Sequence, residues 1–387
     1  MIPFNKPART GHEDSFVIDA MNSSAMSGNN KYTQLCEKWF EEKLDCKRAM
    51  LVTSCTHALE MAAILLNIKD GDEVIVPSYT FVSSANAFVL RGAKIVFAEI
   101  DPLTLNMDVS LLESLITSKT KAIVPVHYAG VSCDMHKLME IANKYNIKVV
   151  EDAAQCIGSK YKENPVGVHG HIATFSFHET KNITAGGEGG MLVINDPDLV
   201  DRAEILREKG TNRRQFSEGK VDKYTWVDIG SSYLLGELSA AYLYSQLVNL
   251  KQIHEGRMKS WNKYFEILSE TEALGYIQLP SIPEACEHNG HIFHVRVKDV
   301  QCRKSLIDYF NTKGIVSVFH YVPLHSSPMG MKIGECRTSM KNTITESQRL
   351  LRLPLYFGLK NQEIEYISQN LSQYFQMSNS SVQTVIA

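Results

Sequence analysis

Val149-Val150-Glu151-Asp152-Ala153-Ala154-Gln155 is a short apolar run that ends in two acids, and its reading decides the fold. Strands buried on both faces of a sheet read as continuous apolar runs, and ligands of open α/β sheets lie at the carboxyl ends of such strands. Runs of the same kind recur on either side, at 49–53, 73–77, 94–99, 122–127, 148–151, 173–178 and 191–195. Between them lie helical patterns, such as 57–66, with apolar residues at 58, 59, 61, 62, 65 and 66, and 135–145. This alternation predicts an α/β fold with a mostly parallel central sheet covered on both faces.

Beyond this region the pattern changes. Residues 209–232 are polar, glycine-containing and aperiodic, and a loop that long inside a compact region is usually functional. Helical periodicity returns over 234–270. Pro280, Pro283 and the 286–289 stretch then lead into a smaller α+β region. The expected division is a large α/β domain over 1–250, a small C-terminal domain over 251–376, and a polar tail over 377–387.

Composition narrows the function. Forty basic and 43 acidic residues, well interspersed, leave a formal net charge of −3, so there is no electrostatic footprint for nucleic acid or an anionic membrane. No apolar run approaches the length of a membrane span. The eight cysteines are scattered without a C-x-x-C pair, which reads as reduced thiols in a cytoplasmic protein and not as a zinc site or disulfide framework.

Three elements carry chemistry. Asp152, at a strand end, suits a metal ligand, a general base or a partner for a heterocyclic nitrogen, and equally a helix N-cap. Thr174-Phe175-Ser176-Phe177-His178-Glu179-Thr180-Lys181-Asn182 delivers Lys181 from a second strand, beside the glycine-rich 185–190. A lysine at a partly buried site loses its proton more readily and becomes a nucleophile, whereas an ordinary lysine is a solvated charge. Thr53-Ser54-Cys55-Thr56 precedes the first helical pattern, where free amides and hydroxyls make either a phosphate cup or a plain cap. No G-x-G-x-x-G or P-loop sequence is present, which argues against a nicotinamide oxidoreductase.

In Glu151–Gln155 and Ser176–Asn182 the chain resembles the DegT/DnrJ/EryC1/StrS sugar aminotransferases, and the likeness extends from about residue 2 to 375. It implies the aspartate-aminotransferase fold, pyridoxal-phosphate (PLP) fold type I, with pyridoxamine phosphate as the alternate cofactor form. By resemblance, Lys181 anchors the cofactor covalently and shuttles protons, and Asp152 pairs with the pyridine nitrogen. Gln155 bonds the ring hydroxyl, while Ala154 and Phe81 pack on the ring faces. Ser176 and the amides of Cys55 and Thr56 hold the phosphate. Many relatives carry Gly-x-Asn-Tyr-Arg, whose asparagine reaches the phosphate of a neighbouring subunit. The aligned residues here are Gly230, Ser231, Ser232, Tyr233 and Leu234, which leaves Ser232 as the donor.

His320, Tyr321 and His325 resemble residues near the sugar or diphosphate, and Arg213 and Lys223 in the long polar loop are candidates for the diphosphate. Structural histidines and a solvated basic loop would look the same. The implied partners are glutamate as amino donor, a nucleotide-linked keto sugar, and a second copy of the chain in a homodimer with shared sites. Relatives that dehydrate the sugar carry histidine at the Lys181 position, so lysine here argues for amino transfer. A non-catalytic sensor would add a DNA-binding module or lose Asp152, Gln155 or Lys181.

Overall fold

The computed structural model describes the backbone of residues 1–386 and the side chains through Met377. Its centre is an eight-stranded sheet in the order Arg48–Val52, Gly190–Ile194, Ile172–Ser176, Lys148–Asp152, Thr120–Ile123, Glu73–Pro77, Lys94–Ala98 and Gly334–Cys336. The seven strands expected from 49 to 195 are all present, with ends shifted by a few residues at most sites. Six of the eight strands, from Ile172–Ser176 to Gly334–Cys336, pair in parallel, and Arg48–Val52 joins the sheet through Gly190–Ile194, which is antiparallel to both its neighbours. The reversal has a local cause. Parallel pairing needs a crossover of a dozen or more residues, usually helical. The segment 177–189 holds no helix, so the chain turns back on itself.

Both faces are covered because neighbouring strand residues point to opposite sides. Val149 joins the core cluster beneath the helices Glu13–Asn22, Lys31–Leu44, Met135–Lys144 and Glu237–Val248. Val150 joins the cluster beneath Cys55–Leu65, Ser83–Val89 and Val200–Arg207. A third cluster, around Tyr264, Phe293, Val295, Leu351 and Leu353, lies in the C-terminal part of the chain. The helix Leu250–Ala273 links the cores, with Ile253 in the first and Trp261, Tyr264 and Leu268 in the third.

Three connections were not legible in the sequence. Ile2 donates to the carbonyl of Gly314 (2.7 Å) and accepts from Val316 N (3.0 Å), so the chain begins against its C-terminal part. Gly334–Cys336 crosses back to extend the large sheet beside Lys94–Ala98. The last helix, Asn361–Ile386, runs on through the segment whose composition suggests a frayed tail; Ala387 lies outside the described residues. Within the 209–232 loop, Arg213–Ser217 forms one short helix. No helix among the described residues is long and apolar enough to cross a membrane.

Candidate active site

The carboxyl ends of the central strands open into a cavity of about 730 Å³, lined on one side by strand ends and on another by the C-terminal part. Asp152 closes the strand Lys148–Asp152 and faces this space. Both its oxygens are in use as acceptors: Oδ2 from Ser84 Oγ (2.6 Å) and Oδ1 from the Ala154 amide (3.1 Å). Because the Ser84 proton goes to Asp152, Thr80 Oγ1, 2.8 Å from Ser84 Oγ, must donate to Ser84. A chain of two hydroxyls therefore fixes the carboxylate.

Glu151 points the other way, as strand alternation requires. Its fully buried carboxylate accepts from His127 Nε2 (2.9 Å) and from the amides of Gly167, His169 and Gly170. Burial pushes this acid up, but the bond from His127 and those amides outweigh it and hold it below the ordinary range. Cys133 N donates to His127 Nδ1, so the imidazole proton sits on Nε2. Of the two adjacent acids, one braces the loop behind the sheet and the other faces the cavity.

Lys181 follows the strand Ile172–Ser176 on a tight turn, its amide donating to the His178 carbonyl (2.9 Å). Its side chain lines the same cavity as Asp152. Burial pushes the ammonium below its ordinary range, with the Cys55 thiol and the Asp152 carboxylate pulling in the opposite direction. The next residue anchors the turn. Asn182 Nδ2 donates to the Asn289 carbonyl (2.9 Å), which leaves Oδ1 to accept from His291 Nδ1 (2.8 Å). Asn5 Nδ2 adds a bond to the Glu179 carbonyl (3.3 Å).

On another wall, Ser54 caps the helix Cys55–Leu65 by accepting from His57 N (3.1 Å). Ser54, Cys55, Thr56 and Ser176 line the cavity together, so the first amides of a helix meet a hydroxyl from a strand end. Gly190 makes this approach possible: a Cβ there would lie 2.3 Å from Ser54 C and 2.4 Å from Cys55 N. Ala154 and Phe81 also line the space, Phe81 being 57% exposed at its mouth.

The remaining sequence candidates fall into two groups. His320 and Tyr321 line the cavity, their rings stacked with centroids 3.7 Å apart, and His320 Nδ1 is 2.6 Å from Tyr128 Oη. Gln155 lies behind the lining: Oε1 accepts from Ala129 N (2.7 Å) and Nε2 donates to Tyr321 Oη (3.0 Å). His325, Arg213, Lys223 and Ser232 do not line the cavity of this chain. His325 bonds Ser78 Oγ through Nδ1 (2.7 Å), and the other three are exposed. Sequence reasoning missed His291, Arg352 and the Phe4–Asn5 segment, all of which line the cavity. Arg352 carried a signal, a lone charge in the apolar run Leu350-Leu351-Arg352-Leu353. Phe4 and Asn5 carried none.

Comparison with known proteins agrees with this architecture. The profile of the DegT/DnrJ/EryC1/StrS aminotransferase family matches residues 8–372. The uncharacterized protein MJ1066 of Methanocaldococcus jannaschii is 33% identical over 371 residues, 94% of this chain and 95% of that protein. Spr1654 from Streptococcus pneumoniae in its PMP form superposes with a TM-score of 0.89 at 26% identity, over 96% of this chain and 98% of its own. PseC of Helicobacter pylori, an aminotransferase in pseudoaminic acid biosynthesis, superposes at 0.88 with 25% identity, over 97% and 99%.

The residues present fit pyridoxal phosphate. A fixed carboxylate, a buried amine and a helix-terminal cup, whose Ser54–Cys55 backbone a Cβ at Gly190 would push aside, stand around one cavity of suitable size. The cup yields a direct test. In Gly190→Ala the new methyl meets backbone, not a yielding side chain, so the Ser54–Cys55 segment must move. We expect cofactor affinity to fall at least about tenfold and the fold to lose about 1–3 kcal/mol, the usual cost of overpacking. Cofactor titration and thermal unfolding of the cofactor-free protein measure the two effects separately.

Proposed function

Because the chain belongs to the DegT/DnrJ/EryC1/StrS family and is a pyridoxal-phosphate-dependent aminotransferase acting on sugars, we propose that it moves an amino group from glutamate to C4 of dTDP-4-keto-6-deoxyglucose. The product is dTDP-4-amino-4,6-dideoxygalactose, destined for surface polysaccharide. The observation that carries amino transfer is the placing of Lys181 and Asp152 in one cavity. The choice of sugar rests on likeness to the transaminase of enterobacterial common antigen synthesis in 77–83, 124–130, 207–213, 228–234 and 319–325.

Pyridoxal phosphate, when bound, supplies an electron sink for the carbon that bears the amine. The protein does the rest. Asp152, held by Ser84 and Ala154, keeps a proton on the heterocyclic nitrogen. Cys55 N, Thr56 N and Ser176 Oγ bind the phosphate. Lys181 would anchor the cofactor and, with its Nζ free, would take a proton from the donor carbon and return it, on the same face, to the cofactor carbon at the other end of the C–N unit. Its lowered proton affinity suits both directions of that transfer. Ala154 and Phe81 flank the ring. Gln155, through Tyr321, sets the wall toward the ring hydroxyl.

The sugar enters past Phe81, toward His320 and Tyr321. A second copy of the chain completes the mouth, bringing its Ser232 and its 209–232 loop, with Arg213 and Lys223, to the phosphate and diphosphate. Exposed apolar residues of that loop, Trp226 at 77% and Val227 at 50%, support this pairing, since monomers rarely leave such residues bare. His325, tied to Ser78, steadies the segment that presents His320.

The test is to incubate the protein with PLP, glutamate and dTDP-4-keto-6-deoxyglucose and identify the product by mass spectrometry and NMR. An axial C4 amine is the expected result. An equatorial amine, or amination only of a 3-keto sugar, would overturn the substrate assignment while leaving the aminotransferase in place.

A further inference from the structure

His320 lines the cavity, but its hydrogen-bond character is set from behind the lining. Its Nδ1 lies 2.6 Å from the Oη of Tyr128, which is 1% exposed and does not line the cavity. Four rings hold that phenol in place, those of Tyr79, His294, His320 and Tyr321, with centroids 5.3 to 6.3 Å away. Its backbone is tied as well. Tyr128 N donates to Asn106 Oδ1 (2.8 Å), and Asn106 Nδ2 donates to the Val131 carbonyl (3.0 Å).

A count of donors gives this bond its direction. Burial holds the phenol protonated, and burial with the nearby charge of Arg352 holds the imidazole neutral. The Tyr128 hydroxyl has no other partner among the described residues. If Nδ1 carried the proton and donated, the phenol hydrogen would be buried with nothing to accept it, an arrangement native interiors avoid. Tyr128 therefore donates to Nδ1, and the one proton of the imidazole sits on Nε2. Nε2 has no partner among the described residues. It lies on the edge of the ring away from Nδ1, so with Nδ1 turned to the buried phenol the Nε2–H is left for the cavity.

We infer that Tyr128 is a positioning residue, whose phenol holds His320 as a neutral Nε2–H donor to an oxygen of the bound keto sugar. An uncharged donor suits a ketone or hydroxyl oxygen, whereas a carboxylate or phosphate is matched by a cation. The other tautomer would present a lone pair at the same place and repel an oxygen. His320 gives a hydrogen bond and keeps its proton, so Lys181 remains the proton carrier. The inference rests on the keto-sugar acceptor proposed above and is independent of the ring position aminated.

The first arm of the experiment needs neither cofactor nor substrate. In cofactor-free protein labelled with ¹⁵N-histidine, NMR should show His320 protonated at Nε2 and bare at Nδ1, with the signals assigned by their loss in His320→Gln. In Tyr128→Phe, which deletes only the hydroxyl, the two nitrogen shifts should move toward each other as the tautomers mix. The second arm follows the half-reactions separately in the cofactor-loaded protein, through the cofactor absorbance. Tyr128→Phe should slow amine delivery to the keto sugar about tenfold, the loss expected for one hydrogen bond left unmade. Conversion by L-glutamate should keep its wild-type rate. His320→Gln offers an amide N–H in place of Nε2–H whatever the tautomer, so adding Tyr128→Phe to it should cost nothing further. Equal cofactor content shows that the variants are folded. A wild-type His320 that is bare at Nε2 overturns the inference. So does an unchanged keto-sugar rate in Tyr128→Phe, an equal loss in both half-reactions, or the same loss in the His320→Gln background, each of which would leave Tyr128 a packing residue. Wild type that shows the Nε2–H form yet aminates neither a 4-keto nor a 3-keto sugar would instead sink the acceptor reading, and the sugar oxygen with it.

Discussion

Lys181→Ala should remove amino transfer altogether, with a fall in turnover of about 10⁴-fold or more, because one substitution deletes both the covalent anchor and the proton carrier. The fold should survive. Lys181 makes only a backbone hydrogen bond in its turn, and Asn182 anchors that turn independently through Asn289 and His291. Removing a buried amine whose charge is already disfavoured by its surroundings leaves no unpaired partner behind. Thermal unfolding of the cofactor-free variant should match the wild type within about 1 kcal/mol. Lys181→Arg is the sharper control, since it keeps a charge in place but supplies no nucleophile at neutral pH. Measurable turnover in either variant would remove Lys181 from the reaction.

Asp152 should divide its effects differently. Asp152→Asn keeps shape and can still accept from Ser84, but it turns its amide nitrogen toward the Ala154 N–H, so stability should fall by about 1 kcal/mol. Turnover should drop about 10²- to 10⁴-fold, because an amide cannot hold a proton on the ring nitrogen. Asp152→Ala should lose the same activity and also cost about 1–3 kcal/mol, since the Ser84 hydroxyl and the Ala154 amide lose their acceptor at a buried site. Turnover and unfolding measured on the pair separate the chemical role from the structural one. An Asn variant with wild-type turnover would show that Asp152 serves only to hold the turn after its strand, since no helix follows it for the side chain to cap.

The strands from 49 to 195 were readable because each is buried on both faces and so carries an unbroken apolar run with polar turns between. The same reading brought Asp152, Ser176 and Lys181 to neighbouring strand ends, for parallel strands deliver their carboxyl ends to one edge. Glu151 against Asp152 was legible only as a pair. Which acid faces the cavity depends on strand register, and register is a contact between strands.

The limits of the sequence lie where distant segments meet. Nothing in Met1–Asn5 foretells that Ile2 pairs beside Ile315 or that Phe4 supports Arg352. Gly334–Cys336 is too short for a periodic signal and becomes a strand only by finding the edge of Lys94–Ala98. His320 and His325 are equivalent in sequence terms, yet one lines the cavity and the other is turned onto Ser78. Local patterns of apolar and polar residues determined the sheet, its covering helices and the chemistry at the strand ends, because these depend on neighbours a few residues away. The tertiary structure alone decided which charges are left without partners, since whether Arg352 is paired depends on every segment that packs around it.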